Sequence, residues 1–475
     1  MSFLIQTELM QHQKEAVAKM LPSKIGALFM DMGTGKTLCT IKLVNLRLNK
    51  IDKVIYFCPV SLKKTIAEQI FTHTNLNQEQ VYMFSDKTNE RNIPNDKLFY
   101  ICGIESMSDS KRVILTINKL ITDKSFVVVD ESTFIKGHRS WRTLRITEYS
   151  AISRYRLIMT GTPLTQGIVD LFAQMRFLSP KILGYRSFYS FANNHLEYSN
   201  KYKGLIVRSH NTEELAIKIA PYTYQVTKAE CLDLPDKLYT TYYYSMCKEQ
   251  RHYYELAKYE ILYDIPDNYL DNTYTIFRLF TALQTILSGF WNRDSGVKLQ
   301  GKETLTIDHK RIDTLLEAIN HIPDDKKIII WCKFQHDIKS IIETLNRNFP
   351  DHEVAQFHGQ LAEKARNKQV SLFRKKARFF VATPATGGHG LTLTEAHYVI
   401  FYNNGFKYSQ RLQAEDRAMR IGQRSNVTYV DIVCSDSIDE RIHKALRKKE
   451  NVLRAFIGEV EKVKKENLKE RLMQL

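Results

Sequence analysis

The segment 30-MDMGTGKT-37 has the residue types and spacing best suited to chemistry. Gly33 and Gly35 permit a tight loop whose N–H groups converge on an anion, and Lys36 adds a mobile cation. The pattern predicts that Gly33, Thr34, Gly35, Lys36 and Thr37 bind ATP, with Lys36 on the β- and γ-phosphates and Thr37 on Mg²⁺. The general phosphate loop carries a further glycine where Met30 stands. Its loss is tolerable, because the two remaining glycines still bend the backbone and the following helix still presents its positive end. A second candidate is the pair Asp130-Glu131, directly after the apolar run 126–129. Asp130 is expected to hold Mg²⁺ through water, and Glu131 to polarise the water that attacks the phosphate.

These groups need elements that bring them together. The run 25-IGALFM-30 precedes the glycine loop and the periodic 38-LCTIKLVNLRL-48 follows it, a strand–loop–helix order. Further apolar runs lie at 53–60, 98–104, 125–132 and 156–163, and again at 326–334, 378–386, 398–403 and 427–434. Runs without polar alternation suit strands buried on both faces of a parallel sheet. With helices between them, they predict two doubly wound α/β lobes. The Tyr- and Phe-rich stretch between the clusters reads as mainly helical, from the spacing in 247–263 and 277–290. The expected division is a first lobe at 1–185, a helical insertion at 186–305, a second lobe at 306–440 and a basic C-terminal helix at 441–475.

Charge narrows the partners. The chain has 475 residues and a formal net charge of +17, spread along its length. A basic globular protein of this kind calls for a polyanion, nucleic acid first. The seven cysteines include no C-x-x-C pair, so no zinc site is expected. There is no basic leader followed by an apolar stretch, and no run approaches the length of a membrane span. The expectation is an intracellular protein with no membrane partner.

With these elements in place, a family resemblance emerges. The order of motifs resembles helicase superfamily two, and its details resemble the Swi/Snf branch. Gln13 in 9-LMQHQKEAV-17 is similar to that family's upstream glutamine, which reads adenine. The segment 31-DMGTGKT-37 is similar to D-E-M-G-x-G-K-T, and 130-DESTFIKG-137 to D-E-A-H-x-I-K-N. The stretch 157-LIMTGTPLTQGIVDLFAQMRFLSP-180 resembles L-T-G-T-P-L-Q-N…E-L…L-x-F-L-x-P. Further on, 383-TPATGGHGLTLTEAHYVIFYN-403 resembles S-T-x-A-G-G-x-G-L-N-L, and 413-QAEDRAMRIGQ-423 resembles Q-A-x-D-R-x-H-R-I-G-Q.

The resemblance implies two RecA-like lobes and a DNA-dependent ATPase that translocates on duplex DNA. A strand-separating DNA or RNA helicase is the alternative, and a scaffold without catalysis a more remote one. It implies arginine fingers at Arg417 and Arg420, and a coupling motif at Thr160 and Thr162. It places Ser61, Ser106, Thr383 and Thr386 on the sugar–phosphate backbone, and Gly387, Gly388 and Gly390 close to nucleotide or strand. Two family histidines are replaced here, by Thr133 and Met419. With only about 35 residues after the last motif, neither a chromatin-reading module nor a nuclease domain is expected. Compact motors of this size resemble those of bacteria and bacteriophages, so the cytoplasm of a bacterium or of a phage-infected cell is the expected setting.

Overall fold

The computed structural model describes residues 3–165, 167–198, 206–263, 273–293, 303–387 and 391–448. The chain divides into two compact units, with the change at Asp233/Leu234.

The first unit is built on a sheet of seven parallel strands. In chain order these are β1 (Ile25–Met30), β2 (Lys53–Cys58), β3 (Val81–Met83), β4 (Phe99–Gly103), β5 (Ser125–Asp130), β6 (Tyr155–Thr160) and, after a small antiparallel pair β7 (Leu196–Tyr198) and β8 (Ile206–Ser209), β9 (Thr223–Val226). Their order across the sheet is β3-β4-β2-β5-β6-β1-β9. The central strands are buried almost throughout, which is why their sequences run apolar without alternation. Alternate side chains serve opposite faces. Ala27, Phe29, Ile55, Phe57, Val127 and Val129 enter one core. Leu28, Met30, Val54, Tyr56, Phe126 and Val128 enter the other.

The second unit has a six-stranded parallel sheet. It comprises β10 (Lys237–Tyr244), and, after the antiparallel pair β11 (Phe290–Arg293) and β12 (Glu303–Thr306), β13 (Lys327–Trp331), β14 (Val354–Phe357), β15 (Phe379–Ala382), β16 (Ala396–Phe401) and β17 (Val427–Cys434). The order is β10-β17-β16-β13-β15-β14. Two parallel-sheet α/β units are therefore present, as the apolar runs imply.

The stretch 186–305 differs from a helical insertion. Its β9 pairs with β1 from Ala27↔Thr223 to Met30↔Val226 and closes one edge of the first sheet. Its β10 pairs with β17 over eight residues and forms an edge of the second. The helices Lys248–Tyr263 and Thr273–Leu287 account for the helical periodicity. Edge strands meet a neighbour on one side only, so these two carry polar and aromatic residues, not an apolar run. The C-terminal helix is seen as Ile438–Arg447. The rest of the expected basic helix, from residue 449, lies outside the described residues, as do Gly388 and Gly390. Among the described residues, no helix is long and apolar enough to cross a membrane.

Candidate functional site

In a parallel α/β sheet, ligands meet the loops at the strands' C-terminal ends. The sequence candidates of the first unit gather there. The glycine loop follows β1, Ser61 follows β2, Ser106 follows β4, Asp130 ends β5 and Thr160 ends β6. Since β1, β6, β5, β2 and β4 are consecutive neighbours, these residues line one rim.

The loop itself has the conformation its glycines were expected to allow. Gly33 has φ of 83° and Gly35 has φ of 86°, both left-handed. The helix Lys36–Leu46 begins directly after Gly35, and no side chain caps its start. Its positive end is thus available to an anion. The Lys36 ammonium is buried and donates to the carbonyls of Met30 at 2.9 Å and Asp31 at 3.0 Å. Lys36 therefore folds back over the loop, poised where phosphate oxygens would replace those carbonyls.

Gln13 closes the loop from behind. Its Nε2 donates to the Thr34 carbonyl at 3.0 Å, and its Oε1 accepts from Met10 N–H at 3.0 Å. The His12 ring, which no motif singles out, donates from Nε2 to the same carbonyl at 2.8 Å. Gly35 has no room for a side chain: a Cβ would stand 2.2 Å from Gln13 Nε2. Gly35→Ala should therefore weaken ATP binding by about tenfold or more, through a left-handed alanine and a displaced Gln13. Titration with a fluorescent ATP analogue checks this, and an unchanged affinity would contradict the loop's role.

The carboxylates sit beside this loop. Asp130 is buried; its Oδ1 accepts from Glu131 N–H at 2.9 Å and its Oδ2 from the Tyr56 hydroxyl at 3.3 Å. The Thr37 side chain hydrogen-bonds the same phenol. Burial, then the Glu131 charge, pushes the Asp130 carboxyl up to about 7, with the Lys36 charge opposing. A buried acid so raised is a good host for a cation. Thr37 and Asp130, tied to one phenol, fit Mg²⁺, a hard ion that takes few protein oxygens and keeps waters and phosphate oxygens as its other ligands. Among the described residues, no group of three or more His, Cys, Asp or Glu forms a metal cage.

Glu131 takes φ of 49°, a costly conformation for a residue with a side chain. Its carboxylate is buried and accepts from the Thr160 hydroxyl at 3.4 Å. Thr160 Oγ1 in turn accepts from Thr162 N–H at 3.1 Å. Thr160 thus touches Glu131 directly, and Thr162 reaches it only through Thr160.

Several supporting residues were not read from the sequence. Ser132 donates to Gln174 Oε1 at 2.6 Å, and Gln174 Nε2 donates to the Pro163 carbonyl at 3.0 Å. Asp170 accepts from Thr165 at 2.8 Å and from Lys136 at 3.3 Å. Together they tie 130–137 to 160–165. Likewise, Val60 N–H donates to Glu105 Oε2 at 3.0 Å, joining the loops of Ser61 and Ser106. Gly103 permits this approach, since a Cβ there would stand 2.4 Å from Val60. Such partners are set by tertiary proximity and leave no local pattern.

In the second unit, Thr383 and Thr386 follow β15 and share a hydrogen bond of 3.1 Å. Arg417 is fully buried; it donates to the Gln413 and Leu391 carbonyls, each at 3.1 Å. Arg420 is partly exposed and donates to the Leu391 carbonyl at 3.0 Å and to Thr392 Oγ1 at 2.9 Å. Both guanidinium groups therefore hold the segment after Gly390. Met419 is buried in the core below β16 and β17, where an imidazole would need a polar partner. Thr133 is partly buried in the turn after Glu131.

Known proteins are similar to this chain in sequence. Residues 12–288 match the family model of the SNF2-related domain, and 310–422 match the helicase conserved C-terminal domain. An uncharacterized ATP-dependent helicase of Mycoplasma genitalium is 27% identical over 349 residues, 72% of this chain and 32% of that protein. The chromodomain-helicase-DNA-binding protein 1-like of Mus musculus is 22% identical over 437 residues, 87% of this chain and 46% of that one. The chain thus spans 32% and 46% of the length of these two relatives. The solved Sulfolobus solfataricus SWI2/SNF2 ATPase core in complex with dsDNA has 24% identity and a TM-score of 0.43, covering 98% of this chain and 97% of its own.

Proposed function

The chain belongs to the SNF2-related domain family, in the Swi/Snf branch of helicase superfamily two, and from that premise we propose that it is a DNA-dependent ATPase that translocates on duplex DNA. One observation carries this reading. The Lys36 loop and Asp130-Glu131 lie on one rim, with Glu131 hydrogen-bonded to Thr160 of the coupling motif.

In this reading the glycine loop and the helix start cradle the phosphates, and Lys36 leaves its two carbonyls for phosphate oxygens. Mg²⁺, when bound, neutralises developing phosphate charge, and Thr37 and Asp130 would hold it. Glu131 orients the attacking water and accepts its proton. Because Thr160 donates to that same carboxylate, a shift of 160–165 changes the base directly. Arg420, the partly exposed member of its pair, takes the finger role, stabilising charge on the transferring phosphoryl group. The buried Arg417 positions Leu391.

The grip on DNA falls to Ser61 and Ser106 in the first unit and Thr383 and Thr386 in the second. Such contacts are blind to base sequence, and the net charge of +17 supplies attraction to phosphate. An intracellular setting goes with this reading, since seven free thiols suit a reducing compartment.

Strand separation would need a wedge that opens base pairs, at about 1.4 kcal/mol of stacking per step. Among the described residues, the tyrosines from Tyr239 to Tyr263 belong to a strand or a helix. Tyr239 to Tyr244 belong to β10, and Tyr254 is buried in the helix after it. The deciding experiment gives the same enzyme and ATP two substrates. It should displace the third strand of a triplex and leave a long forked duplex annealed. Opening of the fork without triplex displacement would replace the translocase reading by a helicase.

A further inference from the structure

Away from the nucleotide rim, the first unit has a recess of about 660 Å³. It lies between the helix Trp141–Ser150, the helix Leu171–Leu178 and residues 186–189. Its floor includes the His138 ring stacked on Phe188, with centroids 3.6 Å apart. Its rim holds two aromatic side chains in contact with water: Trp141 is 66% exposed and Tyr189 63%. Four arginines line it, Arg139, Arg145, Arg176 and Arg186, against one carboxylate, Glu148.

These arginines are unusual in their company. Arg145 donates to the Met107 carbonyl at 2.8 Å and lies 5.3 Å from the Trp141 ring centre. Arg176 donates to the Arg186 carbonyl at 3.0 Å, and Arg139 to the Tyr189 hydroxyl. Among the described residues, none of the four makes an ion pair with an acid. Glu148 is the one carboxylate in the lining, so most of their charge is left unbalanced there. Arg145 and Arg139 lie over the Trp141 and Tyr189 rings, yet both rings stay largely in water, and a ligand with flat rings and negative charge suits this pairing of exposed aromatics and cations.

We propose that this recess binds single-stranded nucleic acid, stacking one or two unpaired bases on Trp141 and Tyr189 and seating the adjoining phosphates on the arginines. The proposal rests on the nucleic-acid reading above and adds a site outside the motif residues. Stacking needs an exposed base face, which a paired duplex does not offer. One recess residue also reaches the expected backbone grip, because Arg145 donates to the carbonyl of Met107, the residue after Ser106. A strand leaving Ser106 would have the recess beside it.

The test uses the full chain and labelled oligo-dT, with duplex binding measured in parallel. Trp291 and Trp331 are buried, so Trp141 is the exposed reporter, and bound oligo-dT should quench its emission. Trp141→Ala should weaken oligo-dT binding by about tenfold while Trp141→Phe retains it. Arg139→Ala with Arg176→Ala should lower affinity and flatten its salt dependence. A shared loss of oligo-dT and duplex binding in Trp141→Ala overturns the proposal, as does an abasic strand that binds as well as oligo-dT. Displacement of oligo-dT by polyglutamate at equal affinity would assign the recess to an acidic peptide instead. If wild type fails to bind duplex, the motor reading falls, yet the oligo-dT measurements still decide the recess.

Discussion

Glu131→Gln should leave ATP bound and slow its hydrolysis by about 10²–10⁴-fold. The amide has nearly the shape of the carboxylate, so the buried position stays filled. It can still accept from the Thr160 hydroxyl, which lies 3.4 Å from Glu131 Oε2. The backbone also stays in place, because Asp130 Oδ1 continues to accept the residue's N–H. What disappears is the ability to take a proton from the attacking water. Lys36→Ala gives the opposite signature. That ammonium rests on the Met30 and Asp31 carbonyls and is the loop's own cation, so its removal should abolish binding before chemistry is reached. Arg420→Ala should resemble Glu131→Gln, with binding spared and turnover lowered by about 100-fold or more. Equilibrium binding of a fluorescent ATP analogue and single-turnover hydrolysis in saturating duplex DNA separate the three. Normal turnover by Glu131→Gln would remove Glu131 from the chemistry and leave the Thr160 contact without a function.

The parts of this arrangement that could be read in advance share a physical cause. β1, β2, β4, β5 and β6 are interior strands of the first sheet, and β13, β15, β16 and β17 of the second. Covered on both faces and paired on both sides, they must be apolar throughout, and their sequences announce it. Within the two large sheets, the strands without an apolar run are β3, β9, β10 and β14, which are their four edges. Val81–Met83 is three residues long, and Lys237–Tyr244 is largely exposed along its length. Edge strands are short or polar for good reason, since a long apolar edge invites pairing with other chains. Hence 223–244 looked like part of a helical insertion.

The site divides in a similar way. The chemistry proposed for Lys36, Asp130 and Glu131 is one that only a few residue types can supply, and they stand at fixed places relative to strand ends. Tyr56, Glu105, Asp170 and Gln174 are chosen by what they happen to face across the fold. Gln13 falls between the two. Its position was legible, but its bond to the Thr34 carbonyl shows it also buttresses the phosphate loop. The side chain that the resemblance assigns to adenine is therefore also a support of the loop.

The largest expected loss of stability lies in the second unit, at Arg311. Its side chain is fully buried. Nε donates to the Tyr244 hydroxyl at 2.9 Å, one terminal nitrogen donates to the Tyr402 carbonyl at 2.9 Å, and the other pairs with Asp439. The guanidinium also lies 5.6 Å from the Tyr244 ring centre and 5.5 Å from that of Tyr402. One residue thus joins β10, the end of β16 and the helix Ile438–Arg447. Asp439 accepts in addition from Cys434 N–H at 3.4 Å, at the end of β17. Arg311→Met keeps much of the volume but leaves the Asp439 carboxylate buried without its cation. The cost of breaking such a pair is about 3–5 kcal/mol. Removing both charges, in Arg311→Met with Asp439→Leu, should recover a large part of that loss, because the stranded charge disappears with its partner. Urea unfolding followed by the emission of Trp291 and Trp331, both buried in this unit, reads the difference. If the double variant were no more stable than Arg311→Met, the stranded carboxylate would not be the source of the loss. The hydrogen bonds to Tyr244 and Tyr402 would then be what holds the edge strand to the sheet.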